Sequence, residues 1–192
     1  MNTTQVKLTN GSNVYILENV LATDTLAYAH ELANSFSPNN PLWHRAGTAD
    51  NYPRWEYDVQ HSSFDPVRQA FSSDEHTSQW QQLLAPDSTR KLFCSNISFF
   101  IDLPGSPPLL PHVEGVDSWL SQVYIARRPH NYNGTTIYND AKEVLLQLPY
   151  RDNMGWLFDT AGQVMHGREH AVPAGLDRYS LMIWYALLPV ER

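Results

Sequence analysis

With 192 residues, 42% hydrophobic and 12% aromatic, the chain can bury a sizeable core as one domain, and this composition excludes a disordered or fibrous protein. A formal net charge of −7 argues against a broad surface for phosphate backbones, and no apolar run approaches the length of a membrane span. Cys94 is the single cysteine, so neither an intramolecular disulfide nor a multi-cysteine zinc site can form; with a polar N-terminus that lacks the layout of a secretion leader, a reducing cytoplasm is the expected home.

Residues 14–17 predict a first short strand. Thr23 or Asp24 is expected to cap a helix on which Leu26, Ala29, Ala33 and Phe36 recur at helical spacing, and Pro38-Asn39-Asn40-Pro41 ends it. From 42 to 57 Trp, Tyr, His and Arg mingle without a clean period, which predicts irregular chain. Ser63 opens a second short helix with Asp65 and Pro66 in its first turn. Ser73-Asp74-Glu75 opens a third, burying Trp80, Leu83 and Leu84 before Pro86 stops it.

The chain changes character at Arg90. Strand-like runs follow at 92–101, 121–127, 135–139, 155–159 and 178–188, with weaker candidates at 144–148 and 163–165. Pro104-Gly105-Ser106-Pro107-Pro108, Asn133-Gly134, Asp152-Asn153 and Ala174-Gly175 supply turns between them. Helices followed by many short strands predict a mainly β single domain with flanking helices and a jelly-roll core. Residues 1–89 would form helical and irregular support and a lid, and 90–192 the catalytic core.

The chemistry concentrates in that second part. On a strand, residues i and i+2 share a face, so His112 and Glu114 can project together into one cavity, with His166 arriving from another strand. Two neutral imidazoles and one carboxylate suit Fe(II) and leave positions open for oxygen and a cosubstrate, the facial triad of non-haem Fe(II) oxygenases. An H-x-E triplet also arises by chance. Its weight here comes from Arg178, which shares a strand face with Ser180, Met182 and Trp184, opposite Tyr179, Leu181, Ile183 and Tyr185. A guanidinium on the core side of a strand needs an anion. Arg178 therefore meets a carboxylate ligand, to which Ser180 can add a hydroxyl, or pairs with an internal Asp or Glu, or else points at solvent.

The segment from Asn96 to Tyr185 resembles the 2-oxoglutarate- and Fe(II)-dependent dioxygenases, particularly their prolyl-hydroxylase-like branch. The resemblance runs in order through Pro104-Gly105-Ser106, Leu110-Pro111-His112-Val113-Glu114, Gln122-Val123-Tyr124-Ile125 and Asn133-Gly134-Thr135-Thr136-Ile137-Tyr138. It continues through Leu157-Phe158, His166-Gly167 and Arg178-Tyr179-Ser180. It implies that His112, Glu114 and His166 hold Fe(II), and that Arg178 and Ser180 bind the distal carboxylate of 2-oxoglutarate. Tyr124 would be a second cosubstrate contact or else a core aromatic, and Asn96 a supporting residue behind the site. The implied reaction takes O2 and 2-oxoglutarate to succinate and carbon dioxide while hydroxylating a C–H bond of an amino-acid side chain, free or peptidyl, or of another small molecule.

Two departures stand out. The family usually has Asp where this chain has Glu114, with Asp117 a less favoured substitute. His170 also precedes Arg178, but the His-Gly pair and the longer gap favour His166. The nucleic-acid-demethylating branch usually carries a second Arg after the cosubstrate Arg; here Leu181-Met182-Ile183-Trp184-Tyr185 follows, which argues against base repair. Trp43, His44, Arg45, Arg54 and Trp55 fall where family members build a substrate lid, and they either carry specificity or pack the helices onto the sheet. Arg127-Arg128 with His130 suits either an anionic substrate or a solvated turn. The competing readings are a cupin-like metalloenzyme that does not use 2-oxoglutarate and a non-catalytic jelly-roll binding protein.

Overall fold

The computed structural model of the chain describes residues 1–46, 54–114, 119–160 and 164–188. A hairpin opens it, an exposed polar β1 (Asn2–Lys7) and a largely buried β2 (Asn13–Glu18), followed by α1 (Thr23–Asn34). The helix starts one residue earlier than its expected caps: Ala22 is the N-cap, and Asp24 lies in the first turn, where a carboxylate favours the helix dipole. A second hairpin, β3 (Trp43–Ala46) and β4 (Arg54–Tyr57), occupies the stretch expected to be irregular. Each of its strands has only four residues, too few for a period to show. Then come α2 (Asp65–Ser72) and α3 (Asp74–Leu84), the latter capped as expected by Ser73 Oγ, which accepts from the His76 N–H at 3.3 Å.

The strands after Arg90 are β5 (Leu92–Asp102), β6 (Leu109–His112), β7 (Trp119–Ile125), β8 (Thr136–Tyr138), β9 (Val144–Gln147), β10 (Met154–Asp159), β11 (Met165–Arg168) and β12 (Arg178–Leu187). Eight strands form a major sheet in the order β1-β2-β10-β7-β12-β5-β4-β3, and four form a minor sheet in the order β6-β11-β8-β9. The pairings within both are antiparallel. The chain before Arg90 therefore contributes β1 to β4 to the major sheet as well as the helices.

Two apolar layers hold this arrangement. The helices lay Leu32, Ala33, Phe64, Val67, Phe71 and Trp80 against Ile97, Phe99, Ile101, Leu181 and Ile183 on the outer face of the major sheet. Between the sheets lie Leu120, Tyr124, Ile137, Tyr150, Trp156 and Phe158. Because the major sheet is covered on both faces, both sides of β12 are apolar. Tyr179, Leu181, Ile183 and Tyr185 face the helices, while Met182 and Trp184 pack against the inner layer. Two facing antiparallel sheets with helices on one outer side make the jelly-roll, or double-stranded β-helix, architecture that the strand-rich second half predicts. Among the described residues, no helix is long and apolar enough to cross a membrane.

Candidate active site

His112 ends β6 and His166 lies on β11, and the two are directly paired across the strands of the minor sheet. Their rings stand 4.5 Å apart, centroid to centroid. Glu114 follows β6 by two residues and turns its Oε1 to within 3.8 Å of His112 Nε2 and 3.5 Å of His166 Nε2. The ligand atoms of the three residues all lie within 4.8 Å of one another. Each imidazole is anchored from behind, His112 by an Nδ1–H donated to the Leu110 carbonyl at 2.9 Å and His166 by one to the Val164 carbonyl at 3.1 Å. A carbonyl can only accept, so both Nδ1 atoms carry hydrogen and both Nε2 atoms face Glu114.

His166 is further fixed by ring contacts with Phe158 at 5.0 Å and Trp156 at 5.4 Å, themselves stacked at 4.6 Å on β10. Contacts with His112 and then His166 hold the Glu114 carboxyl down at about 2, against the upward pull of burial, and raise His112 in return. The residues fit a divalent transition metal: two Nε2 atoms and an ionised carboxylate converge on one point, with both Nδ1 atoms already committed to carbonyls.

The triad opens on a cavity of about 150 Å³ between the sheets, lined also by Arg54, Gln122, Thr135, Trp156, Arg168 and Arg178. Arg178, only 3% exposed, donates from Nε to the Asn133 carbonyl at 2.7 Å and from Nη1 to Asp102 Oδ2 at 2.8 Å. Its guanidinium also lies over the Tyr124 ring at 5.3 Å. Arg54 donates from Nε to the other Asp102 oxygen at 2.7 Å. Arg54, Asp102 and Arg178 are in register across β4, β5 and β12, so one fully buried carboxylate sits between two guanidiniums. Burial pushes the Asp102 carboxyl up, but Arg54 and Arg178 outweigh it and hold it at about 2. Both alternatives for the anion needed by Arg178 thus meet in one place: it has an internal partner and it faces a cavity.

Behind the cavity wall runs a directed chain of hydrogen bonds. The Thr135 N–H donates to the Tyr124 hydroxyl, which donates to Thr135 Oγ1, which donates to Gln122 Oε1. Gln122 Nε2 in turn donates to Ser180 Oγ at 3.1 Å. Tyr124 and Ser180 are fully buried, and burial raises the Tyr124 phenol. The Trp156 indole N–H lies on the cavity wall beside the Tyr124 hydroxyl and counters the upward push of burial on that phenol. Guanidiniums lining a cavity beside the triad fit a site for an oxygen-rich anion.

The other expected residues fall elsewhere. Asn96 is exposed on β5, opposite Trp184. His170 lies beyond β11, edge-on to Tyr132 and 3.8 Å from Glu169. Asp117 lies outside the described residues. Of the aromatics before the core, Trp43 packs between Phe36, Tyr57 and Phe99, so it joins helices to sheet, whereas Arg54 reaches the cavity. Arg128 donates to the Gly175 carbonyl on the surface. The sequence pointed to no site role for Arg168, Trp156 or Asp102, and it placed Gln122 and Thr135 only within the resembling segments. Arg168 had a signal, since it stands two residues after His166 on the same strand.

No protein-family model and no curated protein matches the sequence. Solved structures do match its shape. The non-haem alpha-ketoglutarate-dependent epimerase SnoN from nogalamycin biosynthesis superposes with a TM-score of 0.65 at 14% identity, over 90% of this chain and 77% of SnoN. SnoN has also been solved with Fe3+, alpha ketoglutarate and nogalamycin RO. AviO1 from Streptomyces viridochromogenes Tue57 gives 0.64 at 14% identity, over 93% and 92% of the two chains. A Trichoplax adhaerens prolyl hydroxylase, solved with a hypoxia inducible factor peptide fragment, gives 0.64 at 14%, over 92% and 84%. At such identities the likeness is one of fold.

Proposed function

We propose that the chain is a 2-oxoglutarate- and Fe(II)-dependent oxygenase. It would hydroxylate a C–H bond of an amino-acid side chain, free or peptidyl, or of another small molecule. The observation that carries this reading is the pair of imidazoles whose Nδ1 atoms are committed to carbonyls while both Nε2 atoms face the Glu114 carboxylate, at the mouth of an arginine-lined cavity. Each Nε2 meets that carboxylate through either a proton or a shared metal ion, and the open cavity beside the three donors supports the metal. The neighbours in fold include an epimerase and a prolyl hydroxylase, and both agree with an iron-centred oxidation.

Bound at this triad, Fe(II) with 2-oxoglutarate and O2 would supply the oxidant, with succinate and carbon dioxide as co-products. The chain's own residues do the positioning. Glu114 stays ionised at neutral pH and contributes the single negative charge of the donor set. Arg178 offers its fork to the distal carboxylate of the cosubstrate, and Asp102 holds that guanidinium in place. Ser180 accepts from Gln122, so its own proton remains available to the same carboxylate, and Tyr124 orders the chain that supports it. The stacked rings of Trp156 and Phe158 keep one wall dry, which protects a strong oxidant from side reactions.

Adding Fe(II) and 2-oxoglutarate without oxygen tests this directly, through the visible metal-to-ligand charge-transfer band. Wild type is expected to develop it, His166→Ala to lose it, and Arg178→Ala to require about ten-fold or more 2-oxoglutarate. A fully metallated wild type without the band would sink the cosubstrate role and leave a cupin-like metalloenzyme or a binding protein.

A further inference from the structure

Resting on the function proposed above, we infer that Thr135 is a positioning residue. It fixes which way the Gln122 amide points, and so makes this part of the cavity wall selective for a carboxylate. Gln122, on β7, and Thr135, just ahead of β8, both line the cavity. They are 5% and 3% exposed, so their polar atoms must be matched inside the protein or by a ligand. The two ends of a glutamine amide are alike in shape, yet one donates and the other accepts. Which end faces which neighbour decides what the wall can bind.

The hydrogen bonds admit one direction because they start from a backbone group that can only donate. The Thr135 N–H gives to the Tyr124 hydroxyl at 2.7 Å, and that hydroxyl gives its single proton to Thr135 Oγ1 at 2.8 Å. Thr135 then passes its own proton to Gln122 Oε1 at 2.8 Å. The amide oxygen is thereby drawn to Thr135 and the nitrogen to Ser180, 3.1 Å away. Turning the amide over would set its nitrogen against the Thr135 hydroxyl and strip that buried proton of its acceptor. The Tyr124 phenol, its proton spent within the chain, has none to give a ligand. Gln122 keeps its donating end for the cavity side, and Ser180 receives from it, which turns the serine proton away from Gln122. With Arg178 on the same cavity, the wall offers hydrogens and calls for oxygens that only accept. A carboxylate is such a group.

The experiment compares 2-oxoglutarate with 2-oxovalerate, which keeps the 2-oxo acid and carries a methyl group in place of the distal carboxylate. Both are titrated into the anaerobic Fe(II) protein and read by the charge-transfer band, without turnover. Wild type should half-saturate with 2-oxoglutarate at a far lower concentration. Thr135→Val keeps the shape and removes the hydroxyl, and it should narrow that margin about ten-fold by raising the 2-oxoglutarate requirement alone. Thr135→Ser, which restores the hydroxyl, should restore the margin. Gln122→Met keeps the length and removes the amide. It should lose as much, and adding Thr135→Val to it should cost nothing more, because Thr135 acts through Gln122. If Thr135→Val does not fold, Gln122→Met carries the test, since a margin that survives without the amide also overturns the inference. Equal half-saturation by the two acids in wild type, an unchanged margin in Thr135→Val, or the same loss for both acids overturns it. So do a Thr135→Ser that fails to restore the margin and additive losses in the double variant. A wild type that forms no band with either acid overturns the functional reading itself, so the two failures are told apart.

Discussion

Asp102 has no exposed surface, yet it stays ionised because guanidiniums reach it from the strands on either side. Its carboxyl lies at about 2 in the folded chain, below its unfolded value, so its contribution is complete above about pH 4 and is lost as the pH falls towards 2. Replacing it with Asn keeps the shape and removes the charge, leaving Arg54 and Arg178 crowded around a neutral amide. Asp102→Asn is expected to cost about 3–5 kcal/mol in urea unfolding at neutral pH and to raise the 2-oxoglutarate requirement. Stability unchanged from wild type would mean that solvent or another group neutralises the pair. At this scale the proposed metal ligands were legible as an H-x-E triplet with a distant His, although Glu114 lies two residues beyond β6 and not on it. Asp102 was not, because its partners lie 48 and 76 residues away and a lone Asp at a strand end looks like turn chemistry.

The proposed metal site depends on how closely β6 lies against β11, and Gly167 sets that closeness. A Cβ at Gly167 would stand 2.5 Å from the Leu109 carbonyl oxygen, so any side chain pushes β6 away and separates His112 from His166. A comparable clash on chain that carries none of the triad provides the control: a Cβ at Gly134 would meet the Leu148 carbonyl at 2.1 Å, ahead of β8 and beyond the end of β9. Both Ala variants are expected to lose about 1–3 kcal/mol of stability. Only Gly167→Ala should also lose about ten-fold or more in Co(II) affinity, followed by visible absorption. Equal losses of affinity in the two would show that strand spacing at Gly167 has no special hold on the site. The longer strands β5, β7 and β12 were legible from their apolar runs. Short β6 was absent from the strand-like runs and β11 met only the weaker 163–165 candidate, at Met165, since Pro111, the histidines, Gly167 and Arg168 carry no strand signature.

The helices and the major sheet are joined by a contact that senses acid. His76 on α3 accepts the Trp80 indole N–H at Nε2, and the same nitrogen lies 3.0 Å from the Tyr185 hydroxyl on β12. Burial lowers His76 to about 4, so between about pH 6.5 and 4 the unfolded chain takes up a proton that the folded chain refuses. Stability must fall with pH across that window, by about 2 kcal/mol at about pH 5. His112, raised by Glu114, works in the opposite sense in metal-free protein, so the difference between wild type and His76→Gln isolates the effect. Urea unfolding at about pH 7.5 and pH 5 should show a steeper acid loss in wild type than in the variant, and parallel losses would refute it. The layered β architecture was legible from helices followed by strands, but the sheet order was not. Strands β1 to β4 join the major sheet through pairings such as β2 with β10, which no local pattern announces. That order also has a consequence for selectivity. The histidines ride on the minor sheet and Arg178 on the major one, so any molecule gripped at both ends is measured by the gap between two packed walls. The fold works as a length gauge, and a diacid one carbon too long would have to bend either itself or a layer of tightly stacked rings.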